Sequence, residues 1–231
     1  LLSWFLLKSE SKIVQVGAKT TPMPTLGAWA GIAGQANVSR TRFARALIVD
    51  NKYKDIVVSN ISIETDRLYM QKLKLEDAQT VFLYRSNDAV SRYQSFHPKA
   101  LEDVIHFIDD NTKNIDIDDS WFQLGIYLHS GELIGDFGIH FINKQQGICE
   151  IGYTIKPDNQ RKGYGKEATL GVLNYLFGIM KKNEIIASID PRNEPSKRML
   201  ECMGFEIKEQ KPDDIEYVLL RKNFRLTTAS T

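Results

Sequence analysis

Apolar residues from position 61 onward recur with two periods, and the switches between them lay out the elements. Alternation over residues 67–73 predicts a first strand. Helical spacing follows, opened by Leu75-Glu76-Asp77-Ala78 and continued by Val81, Phe82 and Arg85, then again at Leu101, Val104, Ile105 and Ile108. Residues 121–128, 133–142 and 148–155 read as three strands. The turns between them, His129-Ser130-Gly131-Glu132 and residues 143–147, are short enough to predict an antiparallel meander. Ala168, Val172, Leu176 and Ile179 give residues 163–180 one apolar helical face. Strands at 184–189, 205–210 and 215–222 complete the set. Between the first two of these, Asn193 is placed to cap a helix with Pro195 in its first turn, Met199, Leu200 and Met203 as its apolar stripe, and Gly204 as its stop.

A meander followed by strand–helix–strand predicts an α+β fold with a mixed, mostly antiparallel sheet flanked by helices. Parallel doubly wound sheets alternate strand and helix throughout. The chain has 231 residues, 42% of them hydrophobic, which suits one domain plus an appendage. The domain is expected over 61–223, with residues 1–60 as an extension outside the fold and 224–231 as a tail.

Formal net charge is +1, so composition makes no case for nucleic acid or membrane binding. Residues 1–60 carry eight basic and three acidic side chains, a net of +5 that leaves −4 for the remainder. Leu1-Leu2-Ser3-Trp4-Phe5-Leu6-Leu7 is far shorter than the ~20 residues that span a bilayer. Residues 11–49 lack acidic side chains and include Arg40, Arg42 and Arg45, a composition shared by organellar targeting segments and by disordered extensions. Cys149 and Cys202 are too few for a disulfide framework, and His97, His106, His129 and His140 lack ligand spacing, so a reducing, cytoplasmic setting without a metal is expected. Oligomeric state is not legible.

The most informative stretch is Gln160-Arg161-Lys162-Gly163-Tyr164-Gly165-Lys166-Glu167-Ala168, a basic, glycine-punctuated turn that runs into a helix. Glycine permits close backbone approach and positive φ, so consecutive N–H groups can converge on phosphoryl oxygens where the helix dipole adds positive charge. Arg161, Lys162, Gly163, Tyr164, Gly165 and Lys166 are therefore candidate diphosphate-binding residues. Gly163-x-Gly165-x-x-Ala168 also fits a dinucleotide fingerprint, with Asp190 placed to imitate the ribose-binding carboxylate. Seven residues separate the strand from the first glycine, which favours a more phosphorylated ligand such as coenzyme A.

The turn, followed by Asn193-Glu194-Pro195-Ser196 and ending in Gly204-Phe205, resembles the GNAT acetyltransferase superfamily. The wider run from Ile63-Glu64-Thr65-Asp66-Arg67-Leu68 through Glu150-Ile151-Gly152-Tyr153 is similar to its ribosomal-protein alanine N-acetyltransferase branch. The resemblance covers roughly residues 61–223. It implies acetyl-CoA as acyl donor, splayed central strands admitting the thioester arm, and main-chain groups of Tyr153, Thr154 and Ile155 pairing with the pantetheine. It also implies that Asn193 and Ser196 lie beside the cofactor arm, their other roles being helix capping and first-turn solvation. The acceptor would be a primary amine on a protein N-terminus, a polyamine or an aminoglycoside. Many members carry a general-acid tyrosine where this chain has Leu200, which leaves that role unassigned and keeps a noncatalytic acyl-CoA sensor as an alternative; a NAD-type protein is a third.

Amine acetylation needs a proton acceptor. Period-two alternation puts Glu150, Gly152 and Thr154 on one strand face and Cys149, Ile151, Tyr153 and Ile155 on the other. A carboxylate in mid-strand is either used or paired, so Glu150 is the candidate base, with an ion pair to a neighbouring Lys or Arg as its other reading. Cys149 shares the apolar face and reads as a core residue. Asp109, Asp110, Asp116, Asp118 and Asp119, relieved by Lys113, form an acidic run that either attracts a cationic amine or is solvated. Tyr93, Phe96 and Trp121 are candidates for an acceptor cleft, with core packing as the alternative.

Overall fold

The structure, a computed structural model, describes residues 61–110 and 115–225. The expected extension over 1–60, Lys113 and the end of the tail lie outside the described residues. Eight strands form one sheet: β1 (Ser62–Glu64), β2 (Leu68–Lys72), β3 (Ser120–Leu128), β4 (Leu133–Asn143), β5 (Ile148–Ile155), β6 (Glu184–Ile189), β7 (Glu206–Gln210) and β8 (Ile215–Leu220). Their order is β1-β2-β3-β4-β5-β6-β8-β7. All pairs are antiparallel except β5 and β6, which the crossover helix makes parallel. This is the mixed, mostly antiparallel sheet expected, not the parallel sheet of a dinucleotide fold.

The helices are α1 (Ala78–Arg85), entered through a 3-10 turn at Leu75–Asp77, α2 (Asp88–Ser91), α3 (Leu101–Asp109), α4 (Tyr164–Leu173) and α5 (Glu194–Cys202). Alternation along the strands gives the sheet two apolar faces. One buries Met70, Phe122, Phe137, Ile139, Cys149 and Tyr217 against Ala168, Val172 and Leu173 of α4. The other packs Tyr127 and Leu133 beneath Val81 and Tyr84 of α1 and Val104 and Ile108 of α3. Phe224 stacks obliquely on Phe177 at 5.1 Å, so the packed chain reaches beyond β8.

Three elements depart from the expected boundaries. β1 is three residues long, below what a period-two pattern can register. α2 is a single turn capped by Asn87, whose side chain accepts from the Ala89 amide. Helix α4 widens into a π-helix at Asn174–Ile179, where the Met180 amide reaches back to the Tyr175 carbonyl at 3.0 Å.

Candidate active site

β5 and β6 pair only at Ile148↔Glu184, Cys149↔Ile185 and Glu150↔Ile186. Beyond that point β5 stays with β4 as far as Ile155, and β6 stays with β8 as far as Ile189. The two strands thus open a fork whose apex is Glu150. The Lys156 amide donates to the Ile134 carbonyl at 2.8 Å, which sets the alternation of hydrogen-bonded pairs along β4 and β5. Main-chain groups of Glu150, Gly152 and Thr154 therefore turn toward β4, and those of Ile151, Tyr153 and Ile155 turn into the fork. Of the three residues expected to meet a pantetheine, Tyr153 and Ile155 face the opening and Thr154 does not. The Ile155 carbonyl is already occupied by Gln160 Nε2 at 2.9 Å.

The basic turn lies at the fork's open end. Arg161 and Gly163 adopt positive φ of 58° and 83°, and Gly163 is the N-cap of α4. The Glu167 amide donates to the Gly163 carbonyl at 3.0 Å as the first intrahelical bond. Helix geometry then leaves the N–H groups of Tyr164, Gly165 and Lys166 without intrahelical acceptors. Arg161, Lys162, Gly163 and Lys166 are exposed, so the bend is not filled by its own side chains. At Gly165 a Cβ would stand 2.8 Å from the Tyr153 ring, so any larger residue would displace that ring.

Residues of the β1–β2 turn lock this bend, a role that the sequence did not announce. Glu167 accepts from the Thr65 hydroxyl at 2.7 Å and from the Arg67 amide at 2.8 Å. The Arg67 guanidinium donates to Glu167 at 2.6 Å and to the Lys162 carbonyl at 3.0 Å, and covers the Tyr164 ring at 4.6 Å. Burial works to raise the Glu167 carboxyl pKa, but these donors and the Arg67 charge outweigh it and hold the group below the ordinary range.

Across the other face, the register aligns Trp121, His140 and Glu150 in one row and Gln123, Gly138 and Gly152 in the next. Glu150 is a quarter exposed and its titratable neighbour is His140 rather than a Lys or Arg, with Nδ1 3.6 Å from Oε2. Gly152 opens onto empty space: an added Cβ would meet nothing within 4 Å. Asp136 is fully buried at the floor, accepting from the Tyr84 hydroxyl, the Arg85 guanidinium and Gln123 Nε2, the last at 2.6 Å. Burial, then the Asp136 charge, raises the Tyr84 hydroxyl pKa well above its usual value.

The remaining candidates divide. Asn193 caps α5 by accepting from the Ser196 amide at 3.4 Å. Tyr153 hydroxyl donates to Met199 Sδ at 3.2 Å, which brings β5 and the first turns of α5 together. Leu200 is buried in the core. So is Cys149, whose thiol pKa burial pushes up to about 12, which bars it from nucleophilic use. The acidic run has structural work: Asp116 pairs with buried Lys182, Asp118 accepts from the Lys144 amide, and Asp119 accepts from His140 at 3.0 Å. Phe96 stacks on Phe107 at 4.5 Å as core, whereas Trp121 stacks on His140 and Tyr93 lies near the Arg92 and Arg192 guanidinium groups.

Comparison with known proteins agrees with this architecture. The family profile of the acetyltransferase (GNAT) domain matches residues 67–206. The chain is 30% identical over 149 residues to the uncharacterized N-acetyltransferase p20 of Bacillus licheniformis, covering 63% of this chain and 82% of that protein. It is 32% identical over 146 residues to the uncharacterized N-acetyltransferase YoaA of Bacillus subtilis, covering 62% and 82%. A GNAT-family acetyltransferase structure from Bacillus anthracis superposes with a TM-score of 0.62 at 26% identity, over 70% of this chain and 99% of that one. A Vibrio cholerae spermidine N-acetyltransferase, solved with CoA and spermine, shares the fold at a TM-score of 0.59 and 18% identity, over 69% and 98%. The chain belongs to the GNAT acetyltransferase family, as an acetyl-CoA-dependent N-acetyltransferase.

Proposed function

We propose that the protein acetylates a primary amine by direct attack on the thioester of acetyl-CoA, with Glu150 as proton acceptor. The observation that carries this reading is the place of Glu150, the last paired residue before the fork, with its partly exposed side chain on the same strand face as the open space at Gly152. An amine attacks only when neutral, and its ordinary pKa is about 8 for an α-amine and about 10.4 for a lysine-like one. A carboxylate within reach of the ammonium supplies the missing acceptor.

Residues 161–166 hold the diphosphate through the unbonded amides at the start of α4 and the side chains of Arg161, Lys162 and Lys166. The exposed, preformed bend supports that role. Main-chain groups of Tyr153 and the Ile155 amide then align the pantetheine, and an N–H directed into the fork polarises the thioester carbonyl. Acetyl-CoA supplies the activated acyl group. As the amine nitrogen bonds to the carbonyl carbon, the carbon–sulfur bond breaks, the nitrogen gives up its second proton to water, and the sulfur leaves as a thiolate, whose pKa near ~8.5 lets water serve as its proton source. Asn193 and Ser196 stand at the first turn of α5 as the arm's flanking residues.

The acceptor is a primary amine of a protein N-terminus, a polyamine or an aminoglycoside. The spermine in the Vibrio cholerae neighbour belongs to that protein and supports the broad class alone. The free, exposed thiol of Cys202 fits a reducing, cytoplasmic setting. The deciding experiment is Glu150→Gln: kcat is expected to fall about 10²- to 10⁴-fold, with CoA affinity by calorimetry unchanged. Wild-type turnover in this variant would remove Glu150 from the reaction. Tight CoA binding without thiol release by either protein would make the chain a sensor.

A further inference from the structure

Glu150 is one end of a row of three side chains. His140 sits opposite it on β4. The ring's Nδ1 faces Glu150 Oε2 at 3.6 Å, and its Nε2 lies 3.0 Å from Asp119 Oδ1. An ionised carboxylate has no proton to give, so the 3.0 Å hydrogen bond requires Nε2–H as donor to Asp119; Glu150 at 3.6 Å is beyond hydrogen-bond distance, and in the neutral ring Nδ1 presents its lone pair on that side. Trp121 lies against the ring at 4.8 Å with planes 10° apart, fixing its orientation. Asp119 holds its carboxylate in place from a left-handed backbone, φ 51°, which aspartate tolerates. The charged groups facing the ring are Glu150 from β5 and Asp119 from the segment entering β3; Trp121 of β3 covers one face. The His140 side chain is 13% exposed and that of Asp119 75%, so the row runs from the cleft toward solvent.

A base that has taken a proton must lose it before the next turnover, and two bound substrates restrict water at the fork. We propose that His140 is the proton-relay residue behind Glu150, with Asp119 fixing its tautomer. The inference rests on Glu150 being the base. The proton released by the attacking amine passes to a Glu150 oxygen, then to His140 Nδ1. The resulting imidazolium lies between the Glu150 and Asp119 carboxylates. When product leaves, Nδ1 gives the proton to water and the ring returns to its neutral Nε2–H form. Nothing is oxidised or reduced, and one proton reaches solvent for each acetyl group transferred. The 3.6 Å gap closes by a side-chain rotation of Glu150 or through one water.

The test uses the full chain with acetyl-CoA and whichever of an alanine-starting peptide, spermine and kanamycin gives the fastest thiol release. In His140→Gln, kcat is expected to fall roughly tenfold to a hundredfold, with the KM for acetyl-CoA unchanged and the imidazole limb lost from the pH–kcat profile. Free imidazole should restore part of the rate in His140→Ala. Asp119→Asn, a change at an exposed side chain that does not threaten folding, should lower kcat by a smaller factor and alter the same limb. Nitrogen NMR of the wild-type ring, which needs no acceptor, should show the Nε2–H tautomer at alkaline pH. A Nδ1–H tautomer, or wild-type kcat and pH profile in both His140→Gln and Asp119→Asn while Glu150→Gln is inactive, overturns the relay and leaves the base. Wild-type turnover by Glu150→Gln overturns both.

Discussion

Arg67 and Glu167 stand 100 positions apart in the chain, and the guanidinium of one meets the carboxylate of the other at 2.6 Å directly behind the basic turn. The same guanidinium donates to the Lys162 carbonyl within that turn. Arg67 thus sets the turn's shape before any ligand arrives, and preorganisation of this kind is expressed as affinity.

Arg67→Ala is expected to raise the KM for acetyl-CoA about tenfold, equivalent to ~1.4 kcal/mol, while kcat stays within about threefold of wild type because the fork and Glu150 are untouched. Steady-state kinetics with acetyl-CoA varied at fixed acceptor separates the two parameters. An equal fall in kcat and kcat/KM would place Arg67 in the chemical step instead.

The clamp also has a pH signature. Glu167 titrates below its ordinary value of 4.5, so its contribution to stability is present above that value and is lost as pH falls through the lowered one. Acid unfolding of the wild type and Glu167→Gln should therefore differ most at neutral pH and converge in strong acid. A gap between the two curves that is constant with pH would show that the charge of Glu167 is not what matters.

Gly152 lies on the Glu150 face with no atom near its missing Cβ. Gly152→Val is compatible with a strand and should leave the melting temperature within a few degrees of wild type. Its branched side chain would occupy the space proposed for the amine's approach, so the acceptor KM should rise about tenfold or more, with little change in the KM for acetyl-CoA. Unaltered acceptor kinetics would move the amine's path elsewhere.

Asp136 is the hub of a buried polar knot. Asp136→Asn keeps the shape but leaves the Arg85 charge beneath α1 without its counterion, a loss that typically costs about 3–5 kcal/mol. Urea unfolding should report it as a lowered midpoint at similar slope. A change below about 1 kcal/mol would mean that water reaches Arg85.

The legible parts of this molecule were those governed by local periodicity. β5 and β6 fall where alternation placed them, at 148–155 and 184–189, because each is buried over much of its length and flanked by turn residues. Asn193 caps its helix as the sequence suggested, since capping is chemistry within three residues. Contacts between distant segments were not legible. Thr65 and Arg67 formed part of a family-like run, but nothing in the sequence joins them to Glu167. His140 was hidden by an irregularity in the pairing: the register slips by one between Phe141 and Asn143, so counting back from the turn would set Phe141, not His140, opposite Glu150. The acidic run was misleading for a related reason, since the partners that occupy Asp116 and Asp119 lie on other elements.

The fork between β5 and β6 has a further consequence for the protein's behaviour in solution. A strand margin with unbonded amides and carbonyls is adhesive toward other chains, and most sheets shield theirs with charge, bulges or covering segments. Here the margin lies inside the sheet, with one end shut by the pairs at Ile148, Cys149 and Glu150. An intruding peptide can therefore zip in only from the open end, where the basic turn stands. In the binding mode proposed above, acetyl-CoA doubles as a shield for this seam, and protein stripped of it should clump sooner on storage than protein kept saturated.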